Sequence, residues 1–199
     1  MKVAEAGRAP QLIRVSAYLV PVTLFALRGP DDLLSLRFAC SPLWETQAAV
    51  RTFVDAHDGS PHEPWRRLVR ERAARIDLEP LLAVQPLRGF RPDFLAPPPR
   101  TARPRLREQL AEIRATSAKQ VALELARCRE WVTDDGYRTL IDGYLAEPEH
   151  ARDLLADRLR DAWAELVAPF WVRIRALLER DVEHRSTHEI PRFVQRICG

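Results

Sequence analysis

Between Ala151 and Val182 the chain reads ARDLLADRLRDAWAELVAPFWVRIRALLERDV, the longest amphipathic stretch in the sequence. Leu155, Leu159, Ala162, Trp163 and Leu166 recur at helical spacing, and Trp171, Ile174, Leu178 and Val182 resume the pattern beyond Pro169, with Arg, Asp and Glu on the opposite side. An apolar stripe of that length has to be covered by other elements, and the flanking sequence offers mainly helices to do so. Pro169 lacks an amide hydrogen and clashes with the preceding turn, so it predicts either a kink or a fresh helical start after one turn of irregular backbone. The fold class this points to is mainly α, a multi-helix bundle with a short N-terminal strand and one Pro-rich structured loop.

The other helices are read from their start signals. Ser41-Pro42 supplies a cap and a first-turn proline, with Glu45 close behind, for a helix running through Val50, Phe53 and Val54 to about Ala56. Glu63-Pro64-Trp65 opens another, with Trp65, Leu68, Val69, Ala73 and Ile76 along one stripe and Arg66, Arg67, Arg70 and Arg72 largely off it. A short helix from Glu79 to about Val84 follows. Four prolines within LRGFRPDFLAPPPR, residues 87–100, exclude a helix interior there, so Phe90, Phe94 and Leu95 are expected to pin an irregular loop onto the helices.

Leu106, Leu110 and Ile113 then mark a helix, and Ser117 with Gln120 forms a capping-box signature for the next, carrying Val121, Leu125, Cys128 and Val132 on one face. The tight connection predicts an antiparallel pair. Asp134-Asp135-Gly136 breaks the run before a helix from Tyr137 to Leu145, and Pro148 introduces the long one.

Residues 1–19 read as an extension for which disorder is one reading, residues 20–185 as the helical domain, and residues 186–199 as a divergent tail. An apolar run from Val15 to Leu27 behind Lys2, Arg8 and Arg14 superficially resembles a signal peptide. Pro21 interrupts it, however, no small-x-small cleavage site follows, and it is too short to cross a bilayer as a helix. A strand from Val22 to Leu27 accounts for the run instead. With Cys40, Cys128 and Cys198 far apart and no CxxC pair, a disulfide scaffold is excluded, and the expected compartment is the cytoplasm. A formal charge of +3 arises from interspersed Arg, Asp and Glu, so charge alone does not argue for nucleic acid.

Side chains with chemistry are scarce. The seven glycines are dispersed, with neither GxGxxG nor a P-loop among them. Ser41, Ser60, Ser117 and Ser186 stand outside any GxSxG elbow and read as caps or turn residues. His184 and His188, at i and i+4, could face one way, but no glutamate follows the first histidine and no third ligand can be named. Asp134, Asp135 and Asp142 could be imagined around a hard cation, although turn formation explains them more simply. No catalytic residue, cofactor or metal ligand is therefore assigned. The five tryptophans suit core or dimer-interface positions, and a ligand pocket walled by Trp44, Phe94 and Trp163 is the sharper alternative.

Four stretches carry a family resemblance: DDLLSLRFACSPLWET at 31–46, RGFRPDFLAPPP at 88–99, LREQLAEIRATSAKQV at 106–121 and APFWVRIRALLERDV at 168–182. Together they resemble the N-terminal domain of a group of actinobacterial transcriptional regulators related to the arsenic-repressor (ArsR) type, in which a helical domain precedes a winged helix-turn-helix. The resemblance spans roughly residues 22–185. It implies a non-enzymatic role in transcription regulation, as an effector-sensing or dimerisation domain, with a homodimer and an apolar small-molecule effector as partners and no membrane. DNA is a partner only if a winged-helix part is present in the full-length product. In the family the chain continues well beyond the equivalent of Val182, whereas STHEIPRFVQRICG does not resemble that continuation, so the DNA-reading part is expected to be missing through truncation or a frameshift. The metal-binding Cys pair of the metal sensors is absent. A stand-alone small-molecule-binding helical protein and a nonfunctional truncated product are the other readings.

Overall fold

The structure, a computed structural model, describes residues 38–54, 60–184 and 187. These are mainly helical, with no strand among them: α1 (Pro42–Val54), α2 (Glu63–Ala73), α3 (Glu79–Ala83), α4 (Leu106–Arg114), α5 (Ala118–Arg129), α6 (Asp135–Ala146), α7 (Pro148–Ala162) and α8 (Trp171–His184). The expected N-terminal strand, the extension and the divergent tail apart from Thr187 lie outside the described residues. Contacts divide the chain into two units, Ala39–Glu179 and a second comprising Met1–Phe38 and Arg180–Gly199. Of the second, Phe38, the end of α8 and Thr187 are described; the Thr187 hydroxyl donates to the carbonyls of Glu183 and His184.

Within Ala39–Glu179 the hub is α7, which packs against α1, α3, α4, α5 and α6. Its buried residues Ala151, Leu155, Ala156, Leu159 and Ala162 follow the predicted stripe, and the alanines leave room for the neighbouring helices. Around it lie Leu43, Val50, Val69, Leu81, Ile113, Val121, Leu125, Ile141 and Leu166, all fully buried in one cluster.

The start signals act as their chemistry requires. Ser41 Oγ accepts the Trp44 amide at 3.1 Å, Ser117 Oγ the Gln120 amide at 3.3 Å, and Asp134 Oδ1 the Tyr137 amide at 2.9 Å, each satisfying an amide that its helix leaves open. Only half of the expected capping box forms at α5, because the Gln120 side chain turns forward to Glu124. At several helix ends an arginine reaches a backbone carbonyl: Arg66 binds Thr52, Arg138 binds Val132 and Arg152 binds Thr116.

One expectation needs correction: α4 and α5 do not form a side-by-side hairpin. Instead α4 packs on α7, and α5 on α6 and α7, because both helices bury their stripes against the hub. At Pro169 the fresh helical start is found in place of a kink. A π-helical turn, Trp163–Val167, is followed by a 3-10 turn, Ala168–Phe170, before α8 starts at Trp171. The wide turn and then the tight one absorb the bonding defect at Pro169, and the π turn packs on α1 and α2.

No helix among the described residues is long and apolar enough to cross a membrane.

Candidate functional site

Four aromatic residues gather at the π and 3-10 junction. Trp163 opens the π turn and meets Trp171, the first residue of α8, edge to face, with ring centroids 5.2 Å apart at 68°. Phe170, which ends the 3-10 turn, meets Trp65 of α2 in the same manner at 5.3 Å and 69°. All four rings are half-buried and pack against the core. Edge-to-face contacts of this kind stabilise by about 0.5–1.5 kcal/mol beyond the area they bury. Beside them Glu165 receives Arg72 at 3.4 Å and Arg75 at 3.7 Å. The junction is an apolar surface with one ion-paired carboxylate. Its rings pack on one another and on the core, and its carboxylate is engaged by two arginines.

Of the three residues suggested as pocket walls, only Trp163 belongs to this junction. Trp44 stands at the start of α1, half exposed, its indole N–H donating to the Pro97 carbonyl at 3.4 Å. Phe94 is buried at the Pro-rich loop, where its amide donates to Glu124 Oε2 at 2.7 Å. Each of the three has its own partner, and the rings that the structure brings together are Trp163 with Trp171 and Trp65 with Phe170. Trp171 was legible only as a member of a stripe and Phe170 was not singled out, because their facing depends on the π turn.

The Pro-rich loop forms the second organised surface. Its short 3-10 turn, Asp93–Leu95, packs on α5, and Glu124, itself buried, binds both the Phe94 amide and the Gln120 side chain. Nearer the end of α5 the Arg127 guanidinium lies 4.1 Å from the Phe90 ring centroid, and Trp131 lies against Gly89. Gln47 Nε2 secures the loop from α1 by donating to the Leu95 carbonyl at 2.6 Å.

The remaining reactive side chains have structural employment. Cys40 and Cys128 are buried free thiols; burial raises both above the usual thiol range, Cys128 to about 12, so neither is a thiolate at neutral pH. Asp134 caps α6, and Asp142 is ion-paired with Arg129, a bond that lowers the aspartate and raises the arginine. Among the described residues no group of three or more His, Cys, Asp or Glu could hold a metal ion; His188 and Glu189 lie outside them. The Tyr144 hydroxyl is buried without a hydrogen-bond partner among the described residues. Burial pushes its pKa up to about 12, helped by Asp77 and Glu79 and opposed by Arg158.

Comparison with known proteins finds no matching family model, no matching curated protein and no matching solved structure.

Proposed function

We propose that this chain serves as the effector-sensing or dimerisation domain of a cytoplasmic transcriptional regulator of the ArsR-like group, without enzymatic activity of its own. Besides the sequence resemblance, one observation carries the reading. Although its sequence is amphipathic, α8 contains no buried residue, and Leu178 and Val182 are only half covered. Such a helix suits a connector or a self-association element better than a core helix. Contact with DNA would belong to a winged helix-turn-helix part where the gene product carries one. The test is twofold. Light scattering of the purified chain is expected to give a dimer that Leu178→Glu converts to monomer. A product that carries the winged helix is expected to shift DNA from its own promoter with a steep salt dependence. A monomer at all concentrations, together with no DNA shift by the longer product, overturns the reading.

The aromatic junction favours a second reading, a stand-alone small-molecule-binding protein. Half-buried Trp65, Trp163, Phe170 and Trp171 would wall an apolar ligand. Saturable quenching of tryptophan fluorescence by an apolar compound, lost in Trp163→Ala, supports it. Unsaturable quenching removes it.

A further inference from the structure

The loop of residues 87–95 runs antiparallel along α5. Gly89 meets Trp131, Phe90 lies under Arg127, and the Phe94 amide is held by Glu124, so the partners on the helix fall in number as the loop residues rise. This alignment builds a continuous outer strip. On α5 and just beyond it, Lys119, Leu123, Arg127 and Trp131 succeed one another at intervals of four, each beside the next in a row that winds slowly around the helix. All four are exposed, Leu123 at 65% and Trp131 at 40%, and the loop adds Leu87 at 56% together with the exposed Arg88 and Arg91.

The strip differs from the other exposed apolar positions. Val172 and Leu177 of α8 are more exposed than Trp131, but their five-residue spacing sets them on different flanks of the helix, and single exposed apolar residues need no explanation. Here Leu123, Arg127 and Trp131 are successive neighbours, and the adjoining loop adds an exposed Leu87 with its own cations. Trp131 is held by its close contact with Gly89 and Arg127 by the Phe90 ring, so neither has much side-chain freedom left to lose on binding. The charge is one-sided. Arg88, Arg91 and Lys119 form no ion pair among the described residues, and Arg127 is engaged by a ring, not a carboxylate. The exposed acids alongside are Asp93 and Glu130, while Glu124 is buried and already bound by the Phe94 amide.

We propose that the strip formed by Leu87, Arg88, Arg91, Leu123, Arg127 and Trp131 is a docking surface for an acidic amphipathic protein segment, one that sets aliphatic or aromatic anchors among Asp and Glu. Charge complementarity selects the occupant. Arg88, Arg91 and Arg127 accompany the apolar positions, with Lys119 one turn earlier on α5, and Arg and Trp are the residue types that most often dominate protein interfaces. A nucleic acid would use the cations and could stack on Trp131, but it gains little from two exposed leucines. An uncharged apolar partner would leave the cations partly dehydrated without recompense. This surface lies apart from α8 and does not depend on the regulator reading.

Fluorescence anisotropy of a labelled helical peptide with Leu and Phe at positions i, i+3, i+4 and i+7 and Glu at all others tests the proposal against the full chain. The comparison probes are the same peptide with every Glu replaced by Lys and an oligothymidylate of similar length. Saturable binding of the acidic peptide is expected, weakened at least roughly tenfold by Arg127→Glu and by Leu123→Asp, while Arg173→Glu on α8 leaves it unchanged. Thermal melts of each variant confirm that the fold persists, and Arg91→Glu, at an exposed loop position of the strip, provides a second charge probe should Arg127→Glu unfold. Equal binding of the Lys peptide, tighter binding of the oligothymidylate sensitive to Arg127→Glu, or no saturable binding of the acidic peptide would each overturn the assignment.

Discussion

The indole of Trp131 fills the space that a side chain on Gly89 would need. A β-carbon built on Gly89 would stand 1.9 Å from Cδ2 of Trp131, and the glycine has φ +89°, a left-handed conformation that other residues adopt only under strain. Both restrictions act on one position. Gly89→Ala is therefore expected to destabilise the fold by about 1–3 kcal/mol, read as a fall in the urea midpoint. In a Trp131→Ala background the steric part disappears and the backbone part stays, so the same substitution should cost less there. Equal costs in the two backgrounds would mean that the indole does not exclude the side chain.

Tyr144 gives a prediction of the opposite sign. Its hydroxyl is buried with no partner among the described residues, so Tyr144→Phe removes a polar group whose burial is uncompensated. The variant should be as stable as the parent or more so at neutral pH. Its pH response should also differ. In the folded protein this phenol titrates near 12, against an ordinary value of 10.0, so the folded state holds its proton where the unfolded state releases it. The stability linked to this group is fully present below pH 10 and is lost as pH rises towards 12. Cys128, raised from 9.0 to about 12, acts in the same direction from a lower starting pH. Urea midpoints should thus fall on the alkaline side, less steeply for Tyr144→Phe, and parallel curves for variant and parent would count against the assignment.

The hub and the terminal helix should respond differently to the same loss of atoms. Leu155 is fully buried on α7, so Leu155→Ala is expected to cost about 2–5 kcal/mol through lost transfer energy and the cavity left behind. Leu177 on α8 is 65% exposed, and Leu177→Ala should stay within about 0.5 kcal/mol. Chemical denaturation of both variants checks the contrast.

Glu124 ties the Pro-rich loop to α5 through one short bond to the Phe94 amide. Glu124→Ala leaves that amide without its acceptor in a buried position, a loss of about 1–3 kcal/mol. Amide exchange should rise locally at Phe94 and Leu95, while the buried face of α7 stays protected. Uniform loss of protection over the whole domain would show that Glu124 supports the core and not merely the loop.

Where the chain's own residues terminate a helix, the sequence was a good guide. Ser41 before Pro42, Ser117 and Pro148 each stand at a helix start, because capping is a local matter settled within four residues; Asp134, read only as a breaker, caps a helix that starts at Asp135, two residues before the expected Tyr137. The stripe through Leu155 and Leu159 was legible for the same reason: spacing alone says which side must be covered. What covers it was not legible. Whether α4 packs on α5 or on α7 depends on which apolar faces meet across the domain, and a three-residue link between two helices does not decide that. The candidate site was harder still. Trp44, Phe94 and Trp163 were grouped as aromatic pocket walls, yet the first lies half exposed beside the Pro-rich loop, the second is buried where that loop meets α5 and only the third joins the aromatic junction. The pairing of Trp163 with Trp171 depends on a π turn that no periodicity announces.

That π turn can also be read as a count of residues. A π-helical turn spends one residue more than an α-helical turn to cover the same segment, so Trp163–Val167 behaves as a single-residue insertion accommodated inside a helix. Deleting Ala164, which is exposed, would restore α-helical phase there and turn everything from Ala168 onward by about 100° about the helix axis. Trp171 would then swing away from Trp163, and α8 would present different residues to its surroundings with hardly any change in composition. One codon, gained or lost in this stretch, is enough to re-aim the terminal helix while the hub of the domain stays as it was.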